Sequence, residues 1–141
     1  MTPNIIFILA DDLGYEDLGC YGQTKFSTAN IDQLARDGMR FTQHYAGSPV
    51  CAPSRCVLMS GKHTDHAFIR GNAQNPAGDQ AGQMPIPRET VTFVKYLKIA
   101  GYNTGAFGKW GLGNTGTTGD PLVHGFDDFF GYYDQILAHK S

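Results

Sequence analysis

Runs of lysine and arginine are missing from this chain. Its 11 basic and 13 acidic residues are scattered, and the formal net charge is -2. That argues against a nucleic-acid groove or an anionic membrane surface as a partner. Long apolar runs are missing too. The longest, Ile5 to Ala10, falls far short of the roughly 20 residues that a membrane-spanning helix needs. Cysteine is scarce. Cys20, Cys51 and Cys56 are an odd number and build no disulfide framework. No Cys-x-x-Cys pair is present, so the usual structural zinc site has no support. Cys51 and Cys56 stand close enough in sequence to pair or to share a soft metal. Cys20 and Cys56 read more simply as small packing residues. Met1-Thr2-Pro3 leads straight into a strand-like segment, with no leader pattern in between. The expectation is a cytoplasmic chain, or a periplasmic or secreted one whose leader was lost.

What the chain does have is glycine and a moderate apolar content. Its 141 residues include 18 glycines, and 41% are hydrophobic and 12% aromatic. That composition suits a globular domain with a real core and many tight turns, and it argues against disorder. Asn4 to Ala10 is a continuous apolar run with β-branched residues, read as a strand buried on both faces of a parallel sheet. Thr28 to Asp37 has helical spacing and ends at Gly38. Arg40 to Ala46 alternates like a second strand. Pro53 to Ser60 reads as a helix closed by Gly61, with Pro53 near its first position. His63 to Pro87 is rich in Gly, Asn, Gln and Pro and reads as a long loop. Glu89 to Ala100 is helical, Asn103 to Phe107 a short strand, and Gly125 to Tyr133 another strand or edge segment. This order predicts an α/β fold, a mainly parallel sheet flanked by helices. Ligands gather at the carboxyl ends of such strands. Asp11, Asp12, Cys51 and Lys109 each fall just after an expected strand, which places them on one rim.

Cys51-Ala52-Pro53-Ser54-Arg55 is the most informative stretch. It sets a nucleophile precursor at the positive end of a helix dipole, with a guanidinium one turn in, so N–H groups and Arg55 would face a bound oxyanion. Asp11 and Asp12 are adjacent carboxylates, which a hard cation such as Ca²⁺ or Mg²⁺ would compensate. An ordinary turn carboxylate explains them equally well. Lys109 lies in a Gly-rich stretch and offers a compact ammonium to a sulfate or phosphate oxygen. Trp110 beside it reads as packing. His44, His63, His66, His124 and His139 are each chemically able to act as base or ligand, but a lone histidine more often packs or lies on the surface.

The constellation resembles the type I sulfatases, formylglycine-dependent enzymes of the alkaline phosphatase superfamily. Asp11-Asp12, Cys51-Ala52-Pro53-Ser54-Arg55 and Gly108-Lys109-Trp110 occur in that family's order. The opening from Asn4 to Gly14, Arg70-Gly71-Asn72, and Gly101 to Thr104 match its pattern as well. The resemblance implies an alkaline-phosphatase-like fold and hydrolysis of sulfate esters. It implies that Asp11 and Asp12 bind Ca²⁺. It implies that Cys51 is oxidised to formylglycine, whose hydrate attacks sulfur and also touches the ion. Arg55 would stabilise the hydrate and Lys109 would hold a sulfate oxygen. A formylglycine-generating or anaerobic sulfatase-maturating enzyme would be the partner that converts Cys51. Many relatives carry histidine two residues after the lysine, where this chain has Gly111. His139, in a Gln-Ile-Leu-Ala-His segment, resembles the position where some relatives place a polar substrate contact.

Complete family members are several times longer, so the expectation is the incomplete N-terminal portion of a catalytic domain, inactive in isolation. Two other readings stay open on the residues alone. One is a phosphonate or phosphate monoester hydrolase on the same scaffold. The other is a non-catalytic fragment or pseudoenzyme that binds an anion or a partner and keeps an ordinary Cys51.

Overall fold

The computed structural model describes residues 2–76 and 82–138. They fall into two units, Met1–His44 and Tyr45–Ser141.

In the first unit, two 3₁₀ turns at Tyr15–Asp17 and Gly19–Tyr21 precede helix α1, Ala29–Asp37. Polar contacts join them. The Thr28 hydroxyl accepts from the Gly19 N–H at 2.8 Å and donates to Asp32 Oδ1 at 2.9 Å. The same carboxylate oxygen accepts from the Cys20 N–H at 2.7 Å. Gly38 closes α1 by donating to the Leu34 carbonyl at 3.0 Å, so this helix matches its expected span. The expected strand at Asn4–Ala10 is not formed, and Ile6 and Ile8 are 85% and 82% exposed. The reason lies in pairing. A strand satisfies its backbone through a neighbour, and the first unit contains no second strand among its described residues. Arg40 to Ala46, the second expected strand, is irregular as well.

The second unit holds the core and the α/β architecture. Helix α2 spans Cys51–Ser60, two residues longer at its start than Pro53 suggested, and Gly61 caps it in the left-handed conformation at φ 65°. Cys51 is therefore reached from a loop rather than from a strand. The long segment that follows carries one small antiparallel hairpin, β1 (Gln74–Asn75) with β2 (Gly82–Gln83). Helix α3, Phe93–Ile99, starts later than expected because Thr92 is its N-cap, accepting from the Lys95 N–H at 3.3 Å. Strands β3 (Gly105–Lys109) and β4 (Asp128–Tyr132) are parallel, with Gly105 opposite Asp128 and Lys109 opposite Tyr132. Gly108 and Gly131 face each other in this ladder. A Cβ on Gly131 would stand 1.9 Å from the Gly108 carbonyl oxygen, so the close approach demands glycine. The short helix α4, Gln135–Ala138, follows β4.

Ala52, Cys56, Ile69, Ile86, Val94, Trp110, Leu112 and Phe126 form the buried core, with α2 and α3 contributing to it. Trp110 is fixed there by its Nε1–H donating to the Gly119 carbonyl at 2.7 Å and by edge-on contact with Phe126. Trp110 is thus a packing residue, as its sequence context suggests. No helix among the described residues is long and apolar enough to cross a membrane.

One polar clamp sets the register of the parallel pair. The Thr104 N–H donates to Asp127 Oδ2 at 2.9 Å, and the Asp127 N–H returns to the Thr104 hydroxyl at 3.1 Å. Lys98 from α3 approaches Asp127 Oδ1 at 2.5 Å. The Lys98 ammonium and the Thr104 donors hold the Asp127 carboxyl down to about 2. A depressed folded value means a contribution present above the ordinary 3.8 and lost as pH falls through that value toward 2. Asp127→Asn is expected to flatten the loss of stability between about pH 4 and pH 2 in urea denaturation series. A slope identical to that of the parent would contradict this role.

Candidate active site

Helix α2 opens on Cys51 at its positive end, and the sequence contains no conventional capping side chain there, since Val50 is the N-cap. A remote residue fills that need. Asn72 Oδ1 accepts from the Ala52 N–H at 3.1 Å, 20 positions away in sequence. Ala52 is fully buried, so its N–H has no access to solvent and depends on this acceptor. Asn72 thus fixes the start of the helix on which Cys51 sits. Asn72→Ala should lower stability by about 1 kcal/mol, as loss of a helix cap does. A melting curve superposable on that of the parent would contradict it.

Lys109 is the last residue of β3, not part of the turn after it. Its ammonium donates to Cys51 Sγ at 3.4 Å. Arg55, one turn into α2, donates through Nη1 to the Lys109 carbonyl. Helix start and strand end are thereby locked together, with the Lys109 ammonium on the Cys51 sulfur and the Arg55 guanidinium on the Lys109 carbonyl. Cys51, Arg55 and Lys109 are all partly buried, which leaves room for a small ligand while limiting solvent screening. An anion bound here would meet the positive end of α2, the Lys109 ammonium and the Arg55 guanidinium together. A nucleophile at position 51 would attack a centre whose developing negative charge these groups already face.

The other residues singled out in the sequence are placed differently. Asp11 and Asp12 belong to the first unit and are exposed, and Asp12 has a left-handed backbone at φ 57°, which aspartate tolerates. His139 lies outside the described residues. His124 is fully buried, with Nε2 2.9 Å from the Thr118 carbonyl oxygen, and burial pushes its imidazole below the ordinary range. It is a packing histidine. His44, His63 and His66 are exposed. None of Cys20, Cys51 and Cys56 is in a disulfide among the described residues. Asn72 was legible only as part of Arg70-Gly71-Asn72; nothing in the sequence announced that it caps α2 from outside the helix.

The Sulfatase family profile matches residues 3–140. Human arylsulfatase D is 45% identical over 135 residues, an alignment that covers 92% of this chain and 23% of that protein. Human steryl-sulfatase is 42% identical over 135 residues, with the same coverage of 92% and 23%. Among solved structures, Ps i-CgsB in complex with k-i-k-neocarrahexaose superposes with a TM-score of 0.79 at 36% identity, covering 95% of this chain and 29% of that one. The chain therefore spans about a quarter of the length of these relatives.

Proposed function

The chain belongs to the sulfatase family, and on that premise we propose that it forms the nucleophile and anion-binding part of a sulfate ester hydrolase. The observation that carries this reading is the Lys109 ammonium 3.4 Å from Cys51 Sγ at the start of α2, with Arg55 bonded to the Lys109 carbonyl. Activity is assigned to a protein of the relatives' length.

The site suits a formylglycine at position 51. Its hydrate would supply a nucleophilic hydroxyl for sulfur and a second hydroxyl whose deprotonation releases the sulfate. The Lys109 ammonium at Cys51 and the positive end of α2 suit an oxygen nucleophile that must approach an anionic ester. Lys109 binds a sulfate oxygen and neutralises charge as the S–O bond to the alcohol breaks. Arg55 holds β3 against α2 and keeps the Lys109 ammonium on the nucleophile. Asn72 keeps the first turn of α2 in place, so that its N–H groups face the anion. His139 is assigned a polar contact to the substrate. Conversion of Cys51 calls for a formylglycine-generating or anaerobic sulfatase-maturating enzyme.

Asp11 and Asp12 are hard oxygen donors of the kind Ca²⁺ or Mg²⁺ accepts. No group of three or more His, Cys, Asp or Glu side chains is placed to hold an ion among the described residues. Ca²⁺ takes about six to eight ligands, so the two carboxylates fit as part of a shell. When bound, the ion would neutralise charge on the sulfate oxygens.

Parallel assays of the full-length protein on an aryl sulfate and an aryl phosphate test the reading. Turnover of the sulfate ester in preference to the phosphate supports it. Preference for the phosphate would replace it with a phosphate monoester hydrolase.

A further inference from the structure

Gln135 is 5% exposed, yet neither its Oε1 nor its Nε2 has a hydrogen-bond partner among the described residues. A buried amide left in that state is destabilising, and native chains rarely keep one without a use. Its position says what that use is. Gln135 lies three residues past the end of β4, and Lys109 is the last residue of β3. The strands are parallel and the ladder runs on, with the Trp110 N–H donating to Tyr132 O at 2.9 Å and the Gly111 N–H to Tyr133 O at 3.0 Å. Lys109 and Gln135 thus occupy the same carboxyl end of the pair, where ligands of parallel sheets gather.

Two chain stretches lead from the site to this amide. From Lys109 the backbone reaches Gly111 in two residues, at most about 7 Å along the chain. A Cβ on Gly111 would stand 2.7 Å from Gln135 Nε2, and the residue holds φ 73°. The amide therefore fills the space that a side chain at position 111 would take. From Asn72, which caps α2, the chain reaches Gln74, whose Nε2 donates to Asp134 Oδ2 at 3.3 Å. Asp134 Oδ1 accepts the Ile136 N–H at 2.6 Å, which fixes the turn that carries Gln135.

We propose that Gln135 is a substrate-contacting, specificity-determining residue, whose amide binds a hydroxyl next to the ester being cleaved. This rests on the sulfate-ester reading of the site above. The chemistry of the group selects the ligand. An amide offers a donor and an acceptor side by side and carries no charge. It matches a hydroxyl beside an ester oxygen, as on a saccharide, and adds nothing for an aryl ester without hydroxyls. A site built to pair a substrate hydroxyl discriminates strongly against analogues that lack it.

The test is binding calorimetry on the full-length protein carrying Cys51→Ala, which removes turnover, with glucose 3-sulfate and 4-nitrophenyl sulfate as probes. Gln135→Met should weaken glucose 3-sulfate by about 10-fold or more and shift 4-nitrophenyl sulfate less than about twofold. Thermal melting of the same variant should be unchanged or higher, because an unpartnered buried amide is replaced by an apolar chain of similar size. Gln135→Leu repeats the comparison with a stiffer side chain. Equal weakening of both probes, weakening of neither, no saccharide sulfate binding in the parent, or a lowered melting temperature would overturn the proposal. Wild-type turnover is read separately. Failure to hydrolyse either ester would remove the hydrolase reading, while the binding comparison still decides the role of Gln135.

Discussion

Cys51→Ala in the full-length protein is expected to lower sulfate ester hydrolysis by at least about 10⁴-fold, with the fold intact. Cys51 accepts from the Lys109 ammonium at 3.4 Å, and it opens α2 at the helix's positive end. Alanine suits a helix start and leaves the neighbouring Ala52 and Cys56 packing untouched. Loss of the reacting group should therefore appear in kcat without a matching loss of stability. Cys20→Ala is the control. Cys20 lies in the first unit, where its backbone N–H donates to Asp32 Oδ1 at 2.7 Å, so activity should be retained. Activity of the Cys51→Ala protein within tenfold of the parent would remove Cys51 from the reaction.

The second large effect is expected at Lys109. Lys109→Met keeps the length of the side chain and removes the ammonium that lies against Cys51 Sγ. The loss of one preorganised charge facing the transition state is worth about 10²- to 10³-fold in kcat. Because Arg55 bonds to the backbone carbonyl of Lys109 rather than to its side chain, the link between α2 and β3 survives the change. The melting temperature should stay close to that of the parent. A fall in melting temperature without a fall in kcat would assign Lys109 to stability instead.

The local rules of the sequence carried a good part of this structure. Gly38 and Gly61 end α1 and α2 where the pattern said, since a glycine cap follows from a backbone requirement local to a few residues. The parallel pairing of Gly105–Lys109 with Asp128–Tyr132 agrees with the expected α/β class, and so does the superposition on a sulfatase-family relative. The apolar run at Asn4–Ala10 and the alternating segment Arg40–Ala46 have strand-like patterns, yet both are exposed and irregular, because a strand also needs a partner and hydropathy names none. Cys51, Arg55 and Lys109 were legible because each lies in a motif with its own chemistry. Asn72 and Gln135 were not. Their roles arise from contacts 20 or more positions away, Ala52 for the first and Gly111 for the second, and no periodicity encodes such a meeting. Gly111 in particular reads from sequence as a missing side chain, whereas in the fold its vacant place is filled by an amide from the far end of the unit.

The most direct test is mass spectrometry of the peptide containing Cys51, from the full-length protein purified from its natural source. The account predicts an aldehyde at position 51, with Cys20 and Cys56 still carrying their thiols. An unmodified thiol at position 51 throughout the population would contradict it, and would leave the Lys109 ammonium on a cysteine with no oxygen nucleophile to present.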